Sequence, residues 1–97
     1  MKNLYLFCSA GMSSSIIAKK MQEAADRQGI EVKVSYFPEA KMNEKGSEAD
    51  VILLSPQVKY LEKDVRAKYS GKKVYLIEML DYGMLNGEAI LTKSLSV

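Results

Sequence analysis

The sequence predicts an α/β fold: a four-stranded parallel sheet in the order 2-1-3-4, with helices on both faces. Three observations carry this. Four short apolar runs, at 4–8, 32–36, 51–54 and 74–77, are separated or followed by stretches of helical periodicity, and that alternation is the mark of a parallel sheet with right-handed crossovers. The first and third runs are almost continuously apolar, as in central strands covered on both faces. The second alternates, with Val32, Val34 and Tyr36 interleaved by Lys33 and Ser35, which suits an edge.

The first run, Leu4-Tyr5-Leu6-Phe7-Cys8, ends on the only cysteine of the chain. The helix after it places Ile17, Met21, Ala24, Ala25 and Gln28 on one face and stops at Gly29. A second helix is predicted over 57–68, where Val58, Leu61 and Val65 recur at helical spacing. Residues 41–48 are polar, contain Gly46 and predict a loop or a weak helical turn. The third helix starts at Asn86, a good N-cap, with Glu88 in its first turn and Ile90, Leu91 and Leu95 inward. At 97 residues, without internal repeat or linker, the chain 1–97 is expected to be a single domain.

Composition narrows the chemistry. Fourteen basic and 12 acidic residues give a formal charge of +2. The charges are scattered without a basic stripe, so nucleic acid is not expected as a partner. A single cysteine excludes an internal disulfide and any cysteine-based zinc site, and neither metal nor cofactor is expected. With no histidine in the sequence, no Cys-His dyad forms within the chain. No apolar stretch approaches the length of a membrane span, and no signal peptide is read at the start. A cytoplasmic location without membrane insertion is therefore expected.

The sheet order places the topological switch point between strands 1 and 3, and ligands of open α/β sheets bind beyond the carboxyl ends of the strands there. Strand 1 ends at Cys8, and strand 3 at Ser55-Pro56-Gln57. The run Ser9-Ala10-Gly11-Met12-Ser13-Ser14 then leads into a helix whose first N–H groups have no intrahelical partner. Small residues let that backbone close around an anion, and Gly11 adopts dihedrals that other residues avoid. Such a nest, with the helix dipole, binds phosphate, and the same field favours a thiolate over a thiol. Against this stands the plainer reading of a buried, inert cysteine followed by an ordinary connector. A phosphatase loop carries arginine six positions after its cysteine, where this chain has Ser14. A hydrolase or arginine-dependent reductase is therefore disfavoured, because serine does not replace a planar guanidinium at the equatorial oxygens.

Several residues around this loop have two readings. Gln57, after Pro56, either points its amide towards the anion or simply starts a helix. Tyr82, with Gly83, borders the site or a docking face, or turns the chain into the last helix. Met12 is read as a contact for partner proteins, since methionine adapts to different surfaces, rather than as core filling.

The segments Tyr5-Leu6-Phe7-Cys8-Ser9-Ala10-Gly11-Met12-Ser13, Phe37-Pro38-Glu39, Ala49-Asp50-Val51, Pro56-Gln57-Val58 and Asp81-Tyr82-Gly83 together resemble the IIB component, lactose/cellobiose type, of the bacterial sugar phosphotransferase system. The resemblance covers nearly the whole chain. It implies a flavodoxin-like or small-phosphatase-like three-layer sandwich and a sugar phosphotransferase activity with a phosphocysteine intermediate. In such a cycle the IIA component donates from a phosphohistidine, and the membrane IIC component presents a β-glucoside-type disaccharide as acceptor. Carried over position by position, Cys8 is the phosphorylated residue. Ser9, Ala10, Gly11, Met12, Ser13 and Ser14 form the phosphate cradle, with Ser15 at its margin. The resemblance also implies a free-standing cytoplasmic domain that reaches the membrane through IIC.

Overall fold

A computed structural model describes residues 1–9 and 12–97, Met12 by its backbone alone. Four parallel strands, β1 (Lys2–Cys8), β2 (Val32–Pro38), β3 (Val51–Leu54) and β4 (Lys73–Leu76), form one sheet in the order β2-β1-β3-β4. This is the order predicted. Helix α1 (Met12–Gln28) joins β1 to β2. The short helix α2 (Met42–Lys45), between single 3-10 turns at Glu39–Lys41 and Gly46–Glu48, leads to β3. A 3-10 segment (Pro56–Leu61) and α3 (Glu62–Lys68) join β3 to β4, and α4 (Met79–Gly83) and α5 (Gly87–Leu95) follow.

Strand alternation divides the core into two layers. Leu4 and Leu6 of β1 and Val51 and Leu53 of β3 face α1 and α5, where they meet Ile17, Met21, Ala24, Ile90 and Leu91. Tyr5, Phe7, Ile52 and Leu54 face the opposite way and pack with Met42, Val58, Val65 and Tyr69. The central strands are buried on both sides, as their apolar runs require. At the carboxyl end the pairing continues past the strands. The Ser55 N–H donates to Phe7 O at 3.1 Å, and the Ile77 N–H donates to Leu54 O at 2.9 Å.

The edge at β2 is covered by a side chain. Odd-numbered residues of β2 turn their backbone groups to β1, as Glu31 O does in accepting from the Lys2 N–H at 3.3 Å. The even-numbered ones therefore face outward. Gln22 of α1 supplies both partners there: its Nε2 donates to Val32 O at 3.0 Å, and its Oε1 accepts from the Val34 N–H at 2.8 Å. An open strand edge invites pairing with other chains, and this amide blocks part of it.

The structure departs from the sequence reading at several points. The continuous helix expected over 57–68 is broken: Val58 has φ −111° and ψ 24°, the first part is 3-10, and regular helix begins at Glu62. Pro56 at the start supplies no N–H, and Val58 and Val65 are still buried while Leu61 is half-buried. Gln28, expected on the inner face of the first helix, is exposed and donates from Nε2 to Glu88 at 3.2 Å. The segment at 41–48 takes the helical-turn alternative, as α2 and its flanking 3-10 turns, whereas α4 was not foreseen. Asn86 caps α5 as expected, its Oδ1 accepting from the Ala89 N–H at 3.2 Å.

Candidate functional site

The carboxyl end of the sheet gathers most of the residues singled out by the sequence. Cys8 closes β1 and is 3% exposed. Its Sγ–H donates to the Phe37 carbonyl of β2 at 3.7 Å, a long and weak bond of the sulfur type. Strand alternation puts the Cys8 side chain on the same face as Leu4 and Leu6, beneath the start of α1. Ala10 and Gly11 of the expected cradle lie outside the described residues, as does the side chain of Met12.

The three serines that open α1 take different positions. Ser13 is exposed, Ser14 is fully buried and Ser15 is half-buried. Ser9, directly after Cys8, is exposed. Ser14 Oγ shares a hydrogen bond of 3.1 Å with the hydroxyl of Tyr82, itself buried in α4. The contact joins the first turn of α1 to the element that follows β4, across 68 residues of sequence. Buried hydroxyls are held by partners, and here each is the other's partner.

Gln57 is exposed, in the 3-10 segment after β3. It stands at the same end of the sheet, and no hydrogen bond ties it to the cysteine. Ser55 was passed over in the sequence as a mere strand terminus, yet its side chain is completely buried beside the end of β1. The signal available was its place, a hydroxyl one step past a buried strand at the switch point.

Electrostatics at this end are dominated by Lys93 of α5. Its Nζ bonds Asp81 Oδ2 at 2.8 Å and also pairs with Glu78. Hydrogen bonds to Asp81 and then to Glu78 hold the ammonium well above the usual lysine range. Asp81 is almost buried, so the lysine neutralises the carboxylate preceding Tyr82 and fixes α4 against α5. Beyond α4's two inward residues, Met79 and Leu80 are more than 70% exposed and Met84 is also exposed. Met79 and Leu80 therefore stand in solvent directly after β4, at the end where Cys8 lies, whereas Met84 lies beside Lys20 and Arg27.

With this geometry in view, the comparisons with known proteins decide the family. A family model described as "PTS system, Lactose/Cellobiose specific IIB subunit" matches residues 3–93. The chain belongs to that family. It is 33% identical over its whole length to the oligo-beta-mannoside-specific EIIB component of Bacillus subtilis, covering 96% of that protein. It is 36% identical to the galactose-specific and the cellobiose-specific EIIB components of two Lactococcus lactis subspecies, over 93% of this chain and 90% of each relative. The solution structure of a cellobiose-specific IIB component from Borrelia burgdorferi superposes with a TM-score of 0.78 at 28% identity, covering 98% of this chain and 89% of the other. A lactose-specific IIB domain from Streptococcus pneumoniae shares the fold, with a TM-score of 0.82 at 21% identity over 98% and 95% of the two chains. The chain is thus a IIB component of a sugar phosphotransferase system, and its sheet order is that of its structural neighbours.

Proposed function

We propose that Cys8 carries the phosphoryl group of this IIB component: it receives it from a phosphohistidine on a IIA component and passes it to a sugar held by a membrane IIC component. The observation that carries this reading is the position of Cys8. It ends a central strand, beneath the start of α1, at the switch point of the sheet. In the first step the thiolate attacks phosphorus, an S–P bond forms, and the P–N bond breaks with its electron pair left on the donor imidazole. In the second, a sugar hydroxyl attacks, a base on the acceptor takes its proton, and the S–P pair returns to sulfur. Sulfur suits both steps, as a good nucleophile near neutral pH and a ready leaving group.

The residues that this chain lacks support the same reading. It has no histidine, so the phosphorylated histidine belongs to a partner. Ser14 stands where a phosphatase has arginine, and the Ser14 hydroxyl is bound to Tyr82, so this position supplies no side-chain cation to clamp the group for attack by water. The backbone from Ser9 to Ser14, with the N-terminus of α1, is the proposed cradle. Exposed Met79 and Leu80, with Met12, form the proposed contact surface for the two partners in turn. Among the described residues no helix is long and apolar enough to cross a membrane. A single cytoplasmic domain that meets the membrane through IIC fits the role. The sugar is proposed to be a β-glucoside-type disaccharide; the relatives are named for oligo-beta-mannosides, galactose and cellobiose.

The test is direct. Incubated with a phosphorylated IIA component, the chain should acquire a thiol-linked phosphate. Cys8→Ser should abolish the transfer while keeping the fold. Label on the Cys8→Ser protein would refute the assignment.

A further inference from the structure

We infer that the hydroxyl of Ser55 is the donor that receives the Cys8 sulfur once it becomes a thiolate, so that Ser55 directly stabilises the reacting atom. The inference rests on the reading of Cys8 as the reacting sulfur. Its own evidence is separate. Ser55 is fully buried, and its Oγ has no hydrogen-bond partner among the described residues. A buried hydroxyl without a partner carries a desolvation cost that native proteins rarely leave standing.

Backbone geometry says where that hydroxyl lies. Ser55 is extended, with φ −69° and ψ 158°, so the alternation of β3 runs on through it. Val51 and Leu53 face α1 and α5, and Ser55 joins them. Phe7 is paired with Leu54 and Leu54 with Leu76. One step further, Ser55 stands between Cys8 and Ile77 on the same face, at the strand spacing of about 4.8 Å. Ile77 is apolar and buried. The Ser14 hydroxyl is bonded to Tyr82 and not to Ser55. Cys8 is therefore the one polar side chain beside Ser55 in the sheet.

The present bond of the cysteine explains why the two are not yet joined. As a thiol, Cys8 donates to the Phe37 carbonyl on the β2 side. When its proton passes to water, the sulfur has nothing to donate, and a carbonyl oxygen repels its charge. A rotation of χ1 to another staggered well takes the sulfur away from Phe37 and towards the unoccupied donor on β3. Phe37 O thus holds the resting thiol and Ser55 Oγ the thiolate. The same donor would stabilise the sulfur as leaving group when the phosphoryl group departs.

The experiment is a titration of thiolate ultraviolet absorbance in the full chain, with Cys8→Ser as the baseline that removes the tyrosine contribution. A hydrogen bond to a charged group, lost in Ser55→Ala, should raise the midpoint by about one pH unit. Ser55→Thr, which keeps the hydroxyl, should titrate close to the parent. Titratable groups at this end include Tyr82 on Ser14, Asp81 and Glu78 on Lys93, and Glu39 on Tyr60, and none of these is altered by the substitutions. Coincident curves for Ser55→Ala and the parent would overturn the inference. A shifted curve in a protein that takes no phosphate from a phosphohistidine would leave Ser55 its role and refute the carrier reading instead.

Discussion

Removing the Tyr82 hydroxyl tests how α1 is held over the sheet. In Tyr82→Phe the ring keeps its place among Leu6, Ile17 and Leu91, all members of the same packed cluster. Only the 3.1 Å bond to Ser14 is lost. Ser14 is 0% exposed, so its hydroxyl is left buried without that partner, at a cost of about 1–3 kcal/mol. Ser14→Ala leaves the converse orphan. Tyr82 is 8% exposed, so its hydroxyl lies nearer to water and the cost should fall at the low end of that range. The double variant removes both polar groups and should cost less than the sum of the two, by at least about 1 kcal/mol. Urea unfolding of the four proteins, followed by circular dichroism, measures the cycle, and a loss of about 1 kcal/mol corresponds to roughly 4–8 °C in Tm for a chain of this size. Additive costs would show that the two hydroxyls do not depend on each other and would refute the reasoning.

Other consequences are equally specific. A Cβ at Gly87 would lie 2.5 Å from Lys20 Cβ and 2.8 Å from the Met21 backbone nitrogen. Gly87→Ala should therefore cost about 1–3 kcal/mol by forcing α5 away from α1, whereas Gly71→Ala, with nothing within 4 Å, should be near neutral in the same unfolding assay. The protein should also lose stability in alkali. Lys93 is held protonated by Asp81 and Glu78, and burial is the first cause that raises Tyr5 and Tyr75. Each folded-state value lies above its unfolded one, so this stability is complete below about pH 10 and is lost as pH rises further. Lys93→Met should flatten part of that alkaline slope in denaturation curves measured from pH 8 to 11; an unchanged slope would remove Lys93 from the account.

Much of the fold was legible in the sequence because sheet burial leaves a strong pattern. The unbroken apolar runs at β1 and β3 marked them as central and the alternation at β2 marked an edge, since only central strands are covered on both faces, and the simplest order with those places is the one observed. Strand ends were less legible. β1 begins at Lys2 and β2 runs on to Pro38 because each is laddered against the other, a matter of register that hydrophobicity does not encode. The broken helix after β3 illustrates a local conflict. Val58, Leu61 and Val65 keep helical spacing, but the chain leaving Pro56 turns as 3-10 before it can settle into α3. α4 is five residues long and turns only Asp81 and Tyr82 inward, with Met79 and Leu80 in solvent, so it has no apolar stripe to read.

At the site, the cysteine and its switch point followed from topology. The partners of the serines did not. Ser14 meets Tyr82 only after four strands have been assembled, and Ser55 reads as a strand terminus until the register sets it beside Cys8. Periodicity reports which face is buried; it does not report which buried hydroxyl lacks a partner.

The central claim is that Cys8 is a transient phosphoryl carrier. Its most direct test is rapid-quench phosphorylation with a labelled, phosphorylated IIA component, followed by chase with or without IIC loaded with sugar. The account predicts one phosphoryl group per chain, mapped to Cys8, that persists alone and leaves for the sugar when loaded IIC is added. A phosphate mapped to another residue, or one lost to water equally fast without IIC, would contradict it.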